Sequence, residues 1–240
     1  MTQIFDTILY IPFFNLLVFL YNSAAFSDFG LAIILLTLII RLILSPLSIK
    51  AFRSQKILSE LQPKVKEVQE KFKNDSQKQA KEVMELYRQY NINPFSGCLP
   101  LLIQIPVLIA LYRVSIAGFD KNSLAVLYGF IARPEFLNPV SFGFINLVER
   151  NFILSLVAGV AQFFQMKLSL KPRQNNPSSV KLQKYDAMTA MNQQMLYFFP
   201  VITIIISMSF PAGLPLYWIA TTVFSIAEQL YINRSVQITK

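Results

Sequence analysis

The stretch FGLAIILLTLIIRLILSPLSI, residues Phe29 to Ile49, decides the fold. Apart from Arg41 and a few hydroxyl side chains it is apolar, and about 20 such residues allow a helix to cross the hydrocarbon core of a bilayer. We therefore predict a membrane-spanning helix here, TM1. A charge near the middle of a spanning helix is costly in lipid, so Arg41 is expected to face protein or water.

The composition of the whole chain agrees with a membrane protein. Hydrophobic residues make up 54% of the 240 residues and charged residues only 15%, whereas an ordinary soluble domain is about one quarter charged. This excludes a disordered chain, a coiled coil and a typical cytosolic enzyme. Histidine is absent and there is one cysteine, which excludes histidine-based triads, His-ligated metals and Cys-pair zinc sites. We accordingly predict no catalytic residue, no metal and no cofactor.

Four further apolar stretches have the length and composition of spanning helices. They are Leu99–Phe119 (TM2), Phe152–Leu170 (TM3), Met195–Phe210 (TM4) and Leu214–Ile232 (TM5). The proline and glycine residues between Pro211 and Pro215 predict a tight turn between the last two helices. The remaining segments are residues 1–28, 50–95, 120–151, 171–194 and 233–240.

The distribution of basic residues predicts the orientation. Residues 1–40 contain no lysine or arginine, whereas residues 50–95 contain ten. Because positive loops stay in the cytoplasm, the N-terminus and the 120–151 loop are expected outside. The 50–95 segment, the 171–194 loop and the 233–240 tail are then inside, an alternation that five spans satisfy. The net charge of +9 is explained in this way and does not indicate specific binding of nucleic acid.

The apolar stretch from Thr7 to Ser27 has two interpretations. It either spans the membrane or lies along the interface, because it is apolar but contains Pro12, Asn15 and Asn22. No lysine or arginine precedes Arg41, so a cleaved signal peptide is not expected.

The charged segment 50–95 is predicted to form a cytoplasmic helical hairpin. Apolar residues recur every three or four positions from Ile57 to Phe72, and Pro63 is expected to start or kink this first helix. Ser76 and Gln79 resemble a capping box for the second helix, which Asn93–Pro94 would end. The hairpin is either a solvated element that lies on anionic headgroups or an arm that docks a partner.

Polar residues share faces of several predicted spans. Thr37, Arg41 and Ser45 are spaced by four residues and therefore lie on one face of TM1. Similar stripes occur in TM3 and TM5, and Gln104 adds a polar residue to TM2. Such residues often only join helices together, but several stripes and an arginine predict a wet, positively charged groove. The candidate groove residues are Thr37, Arg41, Ser45, Gln104, Gln162, Gln165, Trp218, Thr222 and Ser225.

An acidic partner for Arg41 is not obvious in the sequence. Glu228 lies close to the predicted cytoplasmic end of TM5 and is expected to pair with Arg41 only if the arginine side chain points inward.

Four runs of sequence resemble the YidC/Oxa/Alb family of membrane protein insertases. They occur in the family's order and the resemblance covers about residues 8 to 234. The runs are Gly30 to Leu47, Leu61-Gln-Pro-Lys-Val-Lys-Glu-Val-Gln-Glu70, Asn93-Pro-Phe-Ser-Gly-Cys-Leu-Pro-Leu-Leu-Ile-Gln-Ile-Pro106 and Pro211-Ala-Gly-Leu-Pro-Leu-Tyr-Trp218.

This resemblance implies an all-α polytopic fold, with five spans around a hydrophilic groove that opens to the cytoplasm and to lipid. It implies that Arg41 lies in this groove, with Gln162 and Trp218 preferred over Gln104 as lining residues. It also implies that residues 7–22 form an interfacial helix and that the hairpin is a mobile cytoplasmic arm. The chain resembles a short form without a large extracytoplasmic domain, a lipoprotein-type signal or a long basic tail.

The function implied by the resemblance is non-enzymatic insertion of nascent membrane proteins into the bacterial cytoplasmic membrane, with an added chaperone role left open. Contacts with the Sec translocon and the ribosome also stay open. An anion channel or small-solute transporter that uses Arg41 for selectivity is the alternative, and it would need a continuous pore. The aliphatic outer half of TM1, Leu31 to Leu36, favours closure instead. A purely structural assembly chaperone is a further alternative.

Overall fold

A computed structural model describes residues 2–90, 99–117, 121–169 and 187–235 of the chain. The ends of the predicted hairpin, of TM2 and TM3, most of the 171–194 loop and the last residues of the tail lie outside these ranges. The elements are α1 (Thr2–Phe5), a π-helical turn (Asp6–Tyr10), α2 (Ile11–Ser23), α3 (Phe29–Lys71), α4 (Ser76–Gln89), α5 (Leu99–Ala117), a 3₁₀ turn (Lys121–Val126), β1 (Val140–Ser141), β2 (Ile145–Asn146), α6 (Phe152–Ser169), α7 (Ala187–Ser209) and α8 (Gly213–Ser235).

Within the described residues, three helical segments are long and apolar enough to cross a membrane. They are Gln3–Ser23, Phe29–Ser54 and Phe152–Ser169, and shorter apolar segments occupy Gln104–Val114 and Leu196–Ser209. Large aliphatic side chains are exposed on the outside of the bundle, for example Ile43 and Ile153, each 70% exposed. In a polytopic protein such side chains contact lipid rather than water.

Helix α3 differs from the prediction because it continues through the predicted boundary between TM1 and the hairpin. It runs unbroken over 43 residues, and both Pro46 and Pro63 lie inside it. Pro63 therefore does not begin a helix. Inside a helix its φ is compatible, but it lacks a backbone donor and its ring crowds the carbonyl four residues earlier, so a kink at Pro63 stays a prediction. At 1.5 Å per residue the helix is about 65 Å long, roughly twice the thickness of a bilayer core. Its second half must extend beyond the hydrocarbon region.

Helix α4 folds back against the second half of α3. The capping-box prediction was wrong by one position, because Asp75 is the N-cap and its carboxylate accepts a hydrogen bond from the amide of Lys78 at 3.0 Å. A carboxylate is also favoured at a helix N-terminus by the helix dipole. The Gln79 side chain donates to the carbonyl of Gln69 at 2.8 Å, which joins the two helices near their turn.

The last two helices also extend past their predicted limits. Helix α7 begins at Ala187, inside the segment predicted as the 171–194 loop, and α8 continues to Ser235, inside the predicted tail. Alanine, methionine and glutamine, which are frequent just before the apolar part of α7, have high helix propensity. Hydropathy marks the part of a helix that can lie in lipid, and the helix itself can be longer.

The helical segment Gln3–Ser23, which we call the N-terminal helix, lies along the loop between α5 and α6. The Asn15 side chain donates to the carbonyl of Val126 at 3.1 Å and accepts from the amide of Tyr128 at 2.6 Å. Asn22, about 10 Å further along the helix, donates to the carbonyl of Ala132 at 2.7 Å. The loop thus follows the second half of this helix, and its contacts pair the polar side chains that made the segment ambiguous in the sequence.

The loop between α5 and α6 also contacts the ends of several helices. Ser141 accepts a hydrogen bond from the amide of Gly30 at the start of α3, at 3.0 Å. The carbonyls of Glu149 and Leu147 accept from the amides of Ala212 and Gly213, at 2.8 and 3.2 Å, where α7 ends and α8 begins. Helices α3, α6 and α8 therefore all begin at this end of the bundle, and α7 ends there. Arg113, near the end of α5, forms an ion pair with Asp6 of the N-terminal helix. The helices α3, α5, α6, α7 and α8 therefore run in alternating directions along the bundle.

The carboxylate of Asp28 accepts hydrogen bonds both from the start of α3 and from the loop between α5 and α6. Asp28 is the N-cap of α3, and its carboxylate accepts from the amide of Leu31 at 2.9 Å. It also accepts from the hydroxyl of Ser141 and from the amide of Phe142, the latter at 2.6 Å. Phe142 has a positive φ of 54°, so this tight turn adopts a backbone conformation that is unfavourable for a side-chain-bearing residue.

Helices α6 and α7 pack so closely that only glycine fits at position 159. A Cβ atom on Gly159 would overlap the side chain of Ile204 and would lie 3.1 Å from the carbonyl oxygen of Pro200. Gly129 offers a matched contrast, because a Cβ there would meet nothing within 4 Å.

We expect Gly159→Ala to lower the free energy of unfolding by about 1–3 kcal/mol, as is usual for overpacking. Thermal unfolding of the purified protein in detergent measures this, with Gly129→Ala as the control that keeps the wild-type midpoint. Equal midpoints for the two variants would contradict the close packing of α6 and α7.

Candidate functional site

Arg41 lies at mid-depth of the apolar part of α3. It follows Phe29 by about 18 Å along the helix axis, where a bilayer core of about 30 Å would surround it. Its side chain is half-buried, and its Nε donates a hydrogen bond to the hydroxyl of Thr221 on α8 at 2.7 Å. The arginine therefore faces protein, as the sequence predicts.

A second polar contact lies one helical turn further along α3. The hydroxyl of Ser45 donates to Oε1 of Glu228 on α8 at 2.7 Å. Glu228 is buried, and its other carboxylate oxygen, Oε2, has no hydrogen-bond partner among the residues that the structure describes. Arg41 and Glu228 are therefore joined through neighbouring positions of α3 and lie in one polar cluster.

A third contact lies nearer the start of α8. The side chain of Gln104 on α5 donates to the hydroxyl of Tyr217, which is one turn before Thr221. Tyr217, Thr221 and Glu228 are spaced by four and seven residues and share one face of α8. We call these three residues and their partners Gln104, Arg41 and Ser45 the polar ladder.

Some of the predicted groove residues have their polar atoms satisfied inside their own helix. The hydroxyl of Thr37 donates to the carbonyl of Ile33 at 2.7 Å, and that of Ser225 donates to the carbonyl of Thr221 at 2.9 Å. Thr37, Ser225 and Thr222 are all buried. These residues contribute to a polar environment around Arg41, but their hydroxyl protons already have acceptors or lie in the packed interior.

The remaining predicted residues lie at the edges of the cluster. Trp218 is half-buried and packs against the apolar core. Gln162 and Gln165 are half-buried on α6, which packs against α8 and is joined to it by a 3.2 Å hydrogen bond from Ser169 to Gln229. Helix α8 thus receives polar residues from α3 and α5 through the ladder, and from α6 at a separate position.

Three members of the ladder were not selected as groove residues from the sequence. These are Tyr217, Thr221 and Glu228. The prediction selected Thr222 in place of Thr221, and one residue corresponds to a rotation of about 100° around a helix. The spacing of Tyr217, Thr221 and Ser225 was a usable signal, since it repeats the spacing of Thr37, Arg41 and Ser45.

The bundle is apolar on the loop side of the ladder. Ile33 and Leu36 of α3, Leu111 and Val114 of α5 and Leu216 of α8 are all buried in one core cluster. Arg41 comes later along α3 than this cluster, so the polar ladder is separated from the loop by packed aliphatic side chains. In this polar region the guanidinium of Arg41 can act as a hydrogen-bond donor and as a positive charge.

The sequence is similar to a large set of known proteins. The family described as 60Kd inner membrane protein matches residues 19–240. A membrane protein insertase YidC of Wolinella succinogenes is 36% identical over 230 residues, which are 95% of this chain and 38% of the relative. The protein of that name from Francisella philomiragia is 36% identical over 213 residues, 89% of this chain and 34% of the relative.

A solved structure is also similar. It is described as an active YidC insertase with its first transmembrane domain resolved, and it matches with a TM-score of 0.60 and 27% identity. The match covers 95% of this chain and 46% of that one. The chain therefore spans between about one third and one half of the length of these relatives.

Proposed function

Because the chain belongs to the 60Kd inner membrane protein family, as an all-α polytopic membrane protein of the YidC type, we propose that it is a membrane protein insertase. In this function it passes short polar tails of nascent membrane proteins through a groove and releases their apolar segments into the bilayer. The observation that carries the proposal is a half-buried arginine at mid-depth, held by a polar ladder between α3, α5 and α8.

The proposed mechanism uses the charge of Arg41 to reduce the cost of moving a polar tail into the membrane. Two opposite charges 4 Å apart gain about 4 kcal/mol at an effective dielectric constant of 20, against about 1 kcal/mol in water. An acidic tail residue beside Arg41 therefore recovers part of its desolvation cost. The following apolar segment leaves sideways into lipid, driven by burial of its apolar surface. The steps need no covalent chemistry, no metal and no cofactor.

We propose the bacterial cytoplasmic membrane as the location, with the N-terminus outside and the C-terminus inside. The ten basic residues between positions 50 and 95 support this orientation, because positive segments stay in the cytoplasm. Residues 7–22 are proposed to lie along the outer interface, which fits the contacts of Asn15 and Asn22 with the outer loop. The membrane potential, positive outside, would then favour outward movement of negative tails by about 2.3 kcal/mol per charge per 100 mV.

The second half of α3 packs against the whole of α4, and together they form an arm. We propose this arm as the first contact for clients. Because α3 is continuous, the arm and Arg41 belong to one helix. The separation between Arg41 and the end of α3 at Lys71 is about 45 Å. The Sec translocon and the ribosome are proposed partners of this arm.

The packed aliphatic cluster between the ladder and the loop favours an insertase over an anion channel. A channel needs a continuous path, and buried residues such as Leu36 and Leu111 occupy the outer half of the bundle. A groove closed on this side fits delivery of apolar segments into lipid.

Insertion into proteoliposomes tests the proposed function. A single-span client with an acidic N-terminal tail is added to empty liposomes and to liposomes that contain the full chain, and protease protection of the tail is measured. We expect protection several-fold above empty liposomes. Protection equal to that of empty liposomes, or an anion conductance across the same membranes, would contradict the insertase function.

A further inference from the structure

Glu228 is a buried carboxylate whose two oxygen atoms have different surroundings. Its Oε1 accepts from Ser45 at 2.7 Å, whereas Oε2 is shielded from solvent and has no donor among the described residues. Arg41 interacts electrostatically with this carboxylate but does not donate a hydrogen bond to Oε2. A buried acceptor without a donor is unfavourable, and such atoms are normally paired. A donor from outside the chain would complete this site.

The cation and the anion of the polar ladder lie in a fixed order along α3 and α8. Thr221, which holds Arg41, precedes Glu228 by seven residues on the same face of α8, which corresponds to about 10 Å along the helix. On α3 the order is the same, because Ser45 follows Arg41 by one turn. The ladder therefore presents a cation nearer the loop end of the bundle and an anion further from it.

We propose that Glu228 is a specificity-determining residue that binds a lysine or arginine side chain of the client. The acidic residue of a client tail lies beside Arg41, and a basic residue that follows it in the client lies beside Glu228. The rise from Thr221 to Glu228 on α8 is about 10 Å, and the rise from Arg41 to Ser45 on α3 is about 6 Å. Steps of about 6–10 Å correspond to about two to three residues of extended chain or about four to seven residues of helix. This inference rests on the proposed insertase function and adds the charge pattern that its clients carry.

The chemistry of the pair favours an ammonium or guanidinium group as the occupant. Oε2 is an acceptor, so the group that completes it must be a donor, and a cation also neutralises the carboxylate. The direction of the ladder matches a client tail in which the acidic residue enters ahead of the basic residue, because Arg41 lies nearer the loop end of the bundle than Glu228.

A client scan tests the proposal on the full chain in proteoliposomes. Every client carries one aspartate in its tail and a single lysine placed two to seven residues later, and the reference client has glutamine at the lysine position. The wild-type protein is expected to insert the best lysine client about fivefold more efficiently than the reference client. Glu228→Gln is expected to abolish this preference and to leave the requirement for the client's aspartate unchanged.

A control variant and a cross-link separate a client contact from a structural role. Glu135→Gln removes the same charge from an exposed position in the loop between α5 and α6, outside the polar ladder and the arm, and is expected to keep the fivefold preference. Glu228→Cys is expected to form a disulfide with a cysteine that replaces the client's lysine.

Several results would overturn the proposal. A preference that persists in Glu228→Gln, or a Glu228→Gln defect that lowers insertion of lysine and glutamine clients by the same factor, would show that Glu228 does not read client charge. Failure of the wild-type protein to insert any client is a different result, because it would remove the insertase function itself.

Discussion

Replacing Arg41 with glutamine is expected to reduce insertion of an acidic-tailed client by about tenfold or more. The arginine is the half-buried cation of the polar ladder, and its Nε is held 2.7 Å from the hydroxyl of Thr221. The gain from a charge pair in this environment exceeds the gain in water by about 3 kcal/mol. Even if half of this difference is offset by incomplete desolvation, the remainder corresponds to about a tenfold change.

Matched clients and variants isolate the charge. A client whose tail has asparagine in place of aspartate should be inserted almost equally by wild type and by Arg41→Gln. Arg41→Lys keeps the charge but loses the planar donor group, so it should retain part of the activity. The measurement is protease protection in proteoliposomes at equal protein content. Equal losses for acidic and neutral tails would show that Arg41 acts on structure and not on client charge.

Replacing Asp28 with alanine is expected to lower the free energy of unfolding by about 2–3 kcal/mol. The substitution leaves the amides of Leu31 and Phe142 and the hydroxyl of Ser141 without their acceptor. Loss of a helix N-cap costs about 1 kcal/mol, and hydrogen bonds to a charged group contribute about 1.5–3 kcal/mol. The midpoint of thermal unfolding in detergent measures the loss. An unchanged midpoint would contradict a stabilising role for this contact between the loop and α3.

The charge of Asp28 adds a pH dependence to this stabilisation. Burial alone raises the pKa of Asp28, but hydrogen bonds from Ser141 and from backbone amides outweigh it and bring the pKa below the ordinary value of 3.8. A lowered pKa in the folded state stabilises the fold above the unfolded pKa, and this contribution is lost as pH falls through the folded pKa. The difference in unfolding midpoint between wild type and Asp28→Asn should therefore be constant above about pH 5 and shrink below pH 3.8. A difference that does not change with pH would show that the carboxylate charge contributes nothing.

Local patterns were sufficient for the membrane class, the all-α fold and the family. Apolar length selected the spanning segments, and four short runs resembled the insertase family that the comparisons then supported. The location of Arg41 in a half-buried polar setting also followed from its place in an apolar helix. These conclusions depend on the composition of single segments, which does not change when helices move relative to each other.

The predictions of helix ends were less accurate, because hydropathy and helix formation are different properties. Helix α3 passes through Pro46 and Pro63 into the charged arm, although the apolar stretch ends at Ile49. The predicted N-cap of α4 was Ser76, whereas the structure has Asp75. Both residue types can cap a helix, and the helix dipole favours the charged one.

The sequence by itself predicted five apolar spanning segments, gave the segments that carry positive charge and indicated that Arg41 needs protein or water around it. Only the tertiary structure decided that Arg41 contacts Thr221, that Ser45 contacts Glu228 and that Gln104 contacts Tyr217. Periodicity defines the polar face of each helix but contains no information on the rotation and vertical offset of neighbouring helices. A change of one residue in that register turns a side chain by about 100° and exchanges one partner for another.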